Sequence, residues 1–89
     1  MTLKELYSKF KKIPAKKWIK SKLIDSQGNC CAYGHMTFTL DIPMDDRVNL
    51  NDSLKQKGIN IINVNNGIDN RFQQKSIRAR VLAAIKSVY

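Results

Sequence analysis

Gly28-Asn29-Cys30-Cys31-Ala32-Tyr33-Gly34-His35 runs directly into Met36-Thr37-Phe38-Thr39-Leu40-Asp41-Ile42. The period assigned to this run decides the fold class. Cys31, His35, Phe38 and Ile42 fit one face of a helix. Met36, Phe38, Leu40 and Ile42 also alternate with Thr37, Thr39 and Asp41, as in a half-buried strand. The threonines favour the strand locally. The stretch also concentrates the chain's chemistry, since it holds both cysteines, the single histidine and two of the four glycines.

Upstream of it, Asp25-Ser26-Gln27-Gly28-Asn29 is a turn by composition. The Asp25 carboxylate can accept from backbone amides within it, and Gly28 tolerates a positive φ. Before that turn the pattern is helical. Thr2 and Glu5 have the spacing of a capping box, and Leu3, Leu6, Tyr7, Phe10 and Ile13 recur at helical spacing, which predicts a helix over 3–12. Pro14 ends it, because the residue before a proline avoids helical angles, and it can open the next element as a first-turn proline. There Trp18, Ile19 and Leu23 are expected to face the core, with Lys16, Lys17 and Lys20 outside, on a short helix or an extended segment. Trp18, the only tryptophan, is expected to be a core anchor.

Downstream, Pro43 closes the central run, and Met44 to Asn51, with Asp45 and Asp46 adjacent, reads as a polar loop. A short helix is expected over 51–57, capped by Asn49 or Asn51 and stopped by Gly58. Ile59, Ile61, Ile62 and Val64 form an apolar cluster expected in the core, as a strand or a buried helical turn, ahead of the Asn66-Gly67 turn. Asp69 or Asn70 is positioned to cap a last helix over 72–88. Its inner face would carry Phe72, Ile77, Val81, Leu82, Ile85 and Val88. Arg71, Lys75 and Arg78, at i, i+4 and i+7, would form a basic stripe.

A chain of 89 residues makes one domain with a small core, and a partner or a homo-oligomer would add stability. The hydrophobic share of 43% and charged share of 26% are those of a folded globular chain rather than a disordered tail. No run approaches the roughly 20 apolar residues of a membrane span, and the lysine-bearing N-terminus lacks the apolar centre of a secretory signal. Adjacent cysteines are no disulfide framework, which favours reduced thiols and an intracellular setting. The net charge of +9 is unevenly laid out. Residues 1–22 carry eight lysines against Glu5, residues 23–53 five aspartates against Arg47, and residues 54–89 seven basic side chains against Asp69. Two basic ends flank an acidic middle, a field that attracts polyanions or an acidic protein face.

The constellations that could carry chemistry are few. Cys30, Cys31 and His35 do not have metal-site spacing, because structural zinc uses spaced pairs of ligands and adjacent side chains diverge on any regular element. Neither a metal nor a cofactor is expected. Cys31 and His35, at i and i+4, would share a helix face, and Asn65 could orient the imidazole, which gives the alternative of a cysteine-dependent hydrolase or transferase. The glycines form neither a P-loop nor a dinucleotide fingerprint. What is left is basic surface, where lysines beside Trp18 and Tyr33 could track phosphates while an aromatic ring stacks on a base. No established RNA- or DNA-binding motif accompanies them.

Trp18, Asp25-x-x-Gly28, Cys31-Ala32-x-Gly34, an Ile-rich turn into Val64-Asn65-Asn66-Gly67 and a basic C-terminal helix together resemble an uncharacterised family of small bacterial and phage-encoded proteins. The resemblance covers roughly residues 16–85. The chain departs from the family pattern at Asn66, where an Asp is usual, and at His35, where a small residue is. The resemblance implies that Cys31-Ala32-Tyr33-Gly34 opens a helix over 30–40, and that Trp18, Cys31 and Asn65 are a core anchor, a core thiol and a turn cap. It carries no established activity. Its phage members suggest an accessory factor acting on host machinery, defence complexes included, in the cytoplasm of a bacterial host.

The expectation is therefore a mainly α single domain over 1–89, of three to five helices, with room for one short extended segment or hairpin near 59–64 and an α+β arrangement as the alternative. The expected function is non-enzymatic binding of an acidic protein surface or of nucleic acid, with no membrane partner. The contact surface would combine Lys16, Lys17 and Lys20 with Arg71, Lys75, Arg78 and Arg80, merged by antiparallel packing of the two chain ends.

Overall fold

The computed structural model describes residues 1–89 as a mainly α domain of five helices with almost no strand. In order they are α1 (Leu3–Lys11), α2 (Ala32–Gly34), α3 (Met44–Gln56), α4 (Ile61–Asn65) and α5 (Ile77–Lys86). A 3₁₀ turn, Ala15–Lys17, follows α1, and α2 runs without a break into a π-helical turn, His35–Thr39. No helix is long and apolar enough to cross a membrane.

The capping box of α1 forms in full: the Thr2 hydroxyl accepts from the Glu5 amide while the Glu5 carboxylate accepts from the Thr2 amide, both at 3.1 Å. Leu6 and Phe10 then point inward. α1 and α5 pack antiparallel. The Arg78 guanidinium reaches the Lys11 carbonyl at one end, and Tyr89 stacks edge-on against Tyr7 towards the other, with ring centroids 5.4 Å apart. α4 closes against α5. Trp18 lies in the centre at 5% exposure, edge-on to Phe10 at 5.1 Å and tilted over His35 at 4.4 Å.

The central run is helical, as the resemblance implies, but it starts at Ala32, with Cys31 as its cap. It then widens: the Leu40 amide donates to the His35 carbonyl, an i to i+5 bond. Such π turns interrupt the regular ladder and are common at functional or strained positions. The extra residue per turn swings Phe38 out to 53% exposure, so neither period read from the sequence describes the run. Asp41, at φ +50, breaks it.

Other elements depart from the sequence reading. Residues 44–51, expected as a loop, are the first two turns of α3. Asp45 and Asp46 lie in its first turn, where carboxylates are favoured by the helix dipole, and Leu50 and Leu54 bury together one turn apart. The Ile-rich segment is helix α4, not a strand, because the Asn60 side chain caps it by accepting from the Ile62 and Asn63 amides. Ile62 is 50% exposed rather than core. α3 and α4 each end in a glycine at positive φ, Gly58 and Gly67. The residue after each donates back five positions, Ile59 to Leu54 and Ile68 to Asn63, which is the Schellman stop. The last helix begins at Ile77, not at 72. Asp69 turns on itself, accepting from the Arg71 amide and guanidinium, and Ser76 is the cap that works. Phe72 is buried from the preceding loop. Leu23, expected inside, is 52% exposed.

Deleting the central ring tests this core directly. Trp18→Ala is expected to cost about 3–5 kcal/mol, out of the roughly 5–15 kcal/mol that holds a native domain together. Lys20→Ala, at an exposed position, is expected to stay within about 0.5 kcal/mol of the parent. Thermal melting of both variants reads the difference, and a Trp18→Ala protein that melts like the parent would move Trp18 out of the core.

Candidate functional site

The three residues of the thiol-enzyme alternative lie in one neighbourhood with separate jobs. Cys31 Sγ accepts from the Gly34 amide at 3.4 Å, so the thiol caps α2 in the place of a serine or aspartate. Asn65 is fully buried. Its Oδ1 accepts from the Ala32 amide at 2.9 Å, and its Nδ2 donates to the Ile19 carbonyl at 2.9 Å and to Asn66 Oδ1 at 3.2 Å. His35 is 1% exposed, with both ring nitrogens engaged: Nε2 lies 2.9 Å from the Lys17 carbonyl and Nδ1 2.7 Å from the Thr39 hydroxyl. A carbonyl can only accept, so Nε2 carries the proton, and Nδ1 of the neutral ring accepts from Thr39. Cys31 and His35 share no side-chain hydrogen bond, and Asn65 does not reach the imidazole. A nucleophile–base–orienter relay is thus not assembled. Cys30 is fully buried, its thiol donates to the Gly28 carbonyl at 3.6 Å, and burial pushes its pKa up. No three His, Cys, Asp or Glu side chains gather to hold a metal.

The basic residues separate into three groups. Lys16, Lys17, Lys20 and Lys75 are exposed. Arg71 is exposed but forks onto the Asp69 carboxylate, with Nη2 2.7 Å from Oδ2, and the same Nη2 donates to the Gly58 carbonyl at 2.7 Å. Arg78, half-buried, fastens the start of α5 to the end of α1. Arg80 is not on the surface: at 7% exposure it donates to the carbonyls of Val64, Asn65 and Gln74 and so serves the C-terminal end of α4. Its place was visible in the sequence, three residues after Ile77 and four before Ala84, on the apolar face of the helix. Because α5 starts at Ile77, Arg71 and Lys75 lie in the loop before it, and the expected stripe is not a helical stripe. Trp18, buried, offers no face for stacking a base. Tyr33 is half-buried, with Arg47 6.0 Å from its centroid.

The sequence reading places Lys11 and Lys12 on the outer face of the first helix but leaves them out of the contact surface. They are the last residue and the C-cap of α1, and the Arg78 contact brings the start of α5 to them. Lys12 and Lys17 line one open cleft of about 350 Å³ with Ile13, Pro14, Gly28, His35 and Thr39. The Ala15–Lys17 turn also touches α5. The pole of the molecule made by the end of α1, this turn and the start of α5 thus gathers Lys11, Lys12, Lys16, Lys17 and Arg78. The chain holds two ion pairs, Met1–Asp46 and Arg71–Asp69, and neither uses a lysine. Comparison of the chain with models of protein families, with curated proteins and with solved structures returns no match.

His35 gives the site a pH signature. Burial lowers its pKa, against the opposing effect of the Lys17 carbonyl. Above the unfolded value of about 6.5 the ring is neutral in both states. As the pH falls below that, the unfolded ring takes up a proton before the folded one does, so stability declines through the folded pKa. Asp25 and Asp69 are held below the ordinary carboxylate range, by the Asn29 amide and by Arg71 respectively, so their share is lost at lower pH still. Melting temperature is therefore expected to drop between pH 7 and 5 in the parent, and less steeply in His35→Gln. A parent curve flat over that range would contradict the buried neutral imidazole.

Proposed function

We propose that the protein is a non-enzymatic binding protein whose lysine-rich pole engages a polyanion, with a nucleic-acid backbone as the first candidate. The observation that carries this reading is that no lysine is in an intramolecular ion pair, while one pole of the fold collects several of them. An ammonium group is a compact point charge on a flexible stem, suited to phosphate contact rather than base readout. Binding would then be largely independent of sequence, in keeping with a chain that has no base-reading motif. The resemblance to small phage-encoded proteins adds the setting, an accessory factor acting on the machinery of a bacterial host.

An acidic protein face is the second reading, favoured by the exposed aliphatic side chains Leu23 and Ile62. The cysteine-dependent enzyme has less support, because His35 spends both ring nitrogens elsewhere.

Affinity for a short duplex DNA, measured by fluorescence anisotropy from low to moderate salt, is expected to fall linearly on a log–log plot, by about 0.9 per phosphate contacted. The double variant Lys12→Ala/Lys17→Ala is expected to lower that slope by about 2 while its melting temperature stays near the parent's. No retention of DNA or RNA at low salt would remove the nucleic-acid reading. An unchanged slope in the double variant would move the contact surface elsewhere.

A further inference from the structure

Away from the lysine pole, Leu23 and Ile62 stand half-exposed beside an open groove of about 380 Å³, lined also by Ser21, Lys22, Cys31 and Asn66. Single exposed aliphatic residues are ordinary, but two lining the same groove form a patch. The loop that carries Leu23 is held from several directions. Ser21 adopts φ +62, a left-handed conformation that a residue with a side chain rarely takes, and its amide donates to Asn66 Oδ1 at 3.0 Å. The Cys31 amide donates to the Lys22 carbonyl at 3.3 Å. Gly34 lets the Leu23 carbonyl approach so closely that a Cβ there would overlap it. A strained residue, a side-chain amide and a glycine contact thus fix the backbone that presents an aliphatic side chain to solvent, so docking would require little further ordering of the loop. Ile62 also borders a smaller depression of about 120 Å³ that includes Tyr33, Ile59 and Lys55.

We propose that this groove docks an acidic amphipathic segment of a partner protein, whose aliphatic side chains pack on Leu23 and Ile62 while its carboxylates meet Lys22 and Lys55. Charge selects this occupant. No Asp or Glu lines either depression, whereas each has a lysine in its wall. A second copy, itself at +9, would bring like charges together, which is unfavourable at an interface. The groove shares no lining residue with the Lys12–Lys17 cleft, so the two surfaces can act independently.

The test uses two labelled peptides of equal negative charge, one glutamate-rich with leucines at i and i+4, the other with those leucines replaced by serine. The leucine peptide is expected to bind at least about tenfold tighter, by fluorescence anisotropy. Leu23→Ser and Ile62→Ser are expected to erase that preference while leaving duplex DNA binding and melting temperature near the parent values. Equal binding of the two peptides would reduce the effect to plain charge attraction and overturn the proposal. So would a preference that survives in both variants, or no binding of either peptide. A dimer seen by sedimentation and lost in Ile62→Ser would assign the groove to a second copy instead.

Discussion

One buried amide holds this small fold together. Asn65, at the end of α4, satisfies the first free amide of α2, the carbonyl of Ile19 and the side chain of Asn66 at once. Each such bond is worth about 1 kcal/mol net, but leaving a buried donor orphaned costs about 1–3 kcal/mol. The side chain is therefore committed to its place, and the place fixes the spacing between three segments far apart in sequence. Its own backbone carbonyl is taken by Arg80, which carries the linkage on into α5. Short helices such as α2 and α4 have little stability of their own. Here they persist because side chains occupy their ends: Cys31 and Asn65 at the start of α2, Asn60 and Arg80 at the two ends of α4.

The same network shapes the exposed surface. The Lys17 carbonyl accepts both the Cys30 amide, at 3.0 Å, and His35 Nε2, at 2.9 Å. The backbone beneath the Lys17 side chain is thereby fixed to the centre of the protein, and the Ala15–Lys17 turn is held against α5. Histidine, tryptophan and cysteine, the residues that first suggest chemistry, act as scaffold. Lys16 and Lys17, on the turn they hold, make no ion pair, like every other lysine of the chain. Asn66 joins the two halves of this arrangement, since its Oδ1 takes the Ser21 amide and so orients the loop that presents Leu23.

Much of the architecture was legible where local chemistry decides it. The capping box of α1, the Asp25–Asn29 turn, the glycine stop at Gly58 and the turn at Asn66-Gly67 form as their sequences indicate. Trp18 is central, as a lone tryptophan in a small domain suggests. The misreadings have a common physical cause, namely side chains whose polar groups found tertiary or different local partners. Asp69 looked like a helix cap but turned on Arg71. Arg80 looked like surface but was drawn in by the carbonyls at the end of α4. Asp45 and Asp46 looked like loop residues but complement the first turn of α3. The π turn at His35–Thr39 has no periodic signature, and within it His35 bonds to the Lys17 carbonyl and the Thr39 hydroxyl. The cationic pole was half-legible: Lys16 and Lys17 could be read, while the role of Lys11 and Lys12 depends on a contact with Arg78 across the fold.

On the proposed reading, a buried polar scaffold leaves the lysines around the end of α1 as the contact surface for a polyanion. Amide chemical-shift mapping during titration with a short duplex DNA tests it most directly. Shifts are expected to concentrate at Lys11, Lys12, Lys16, Lys17 and the first turn of α5, with α3 and its aspartates unmoved. Shifts confined to α3, or none at low salt, would contradict it.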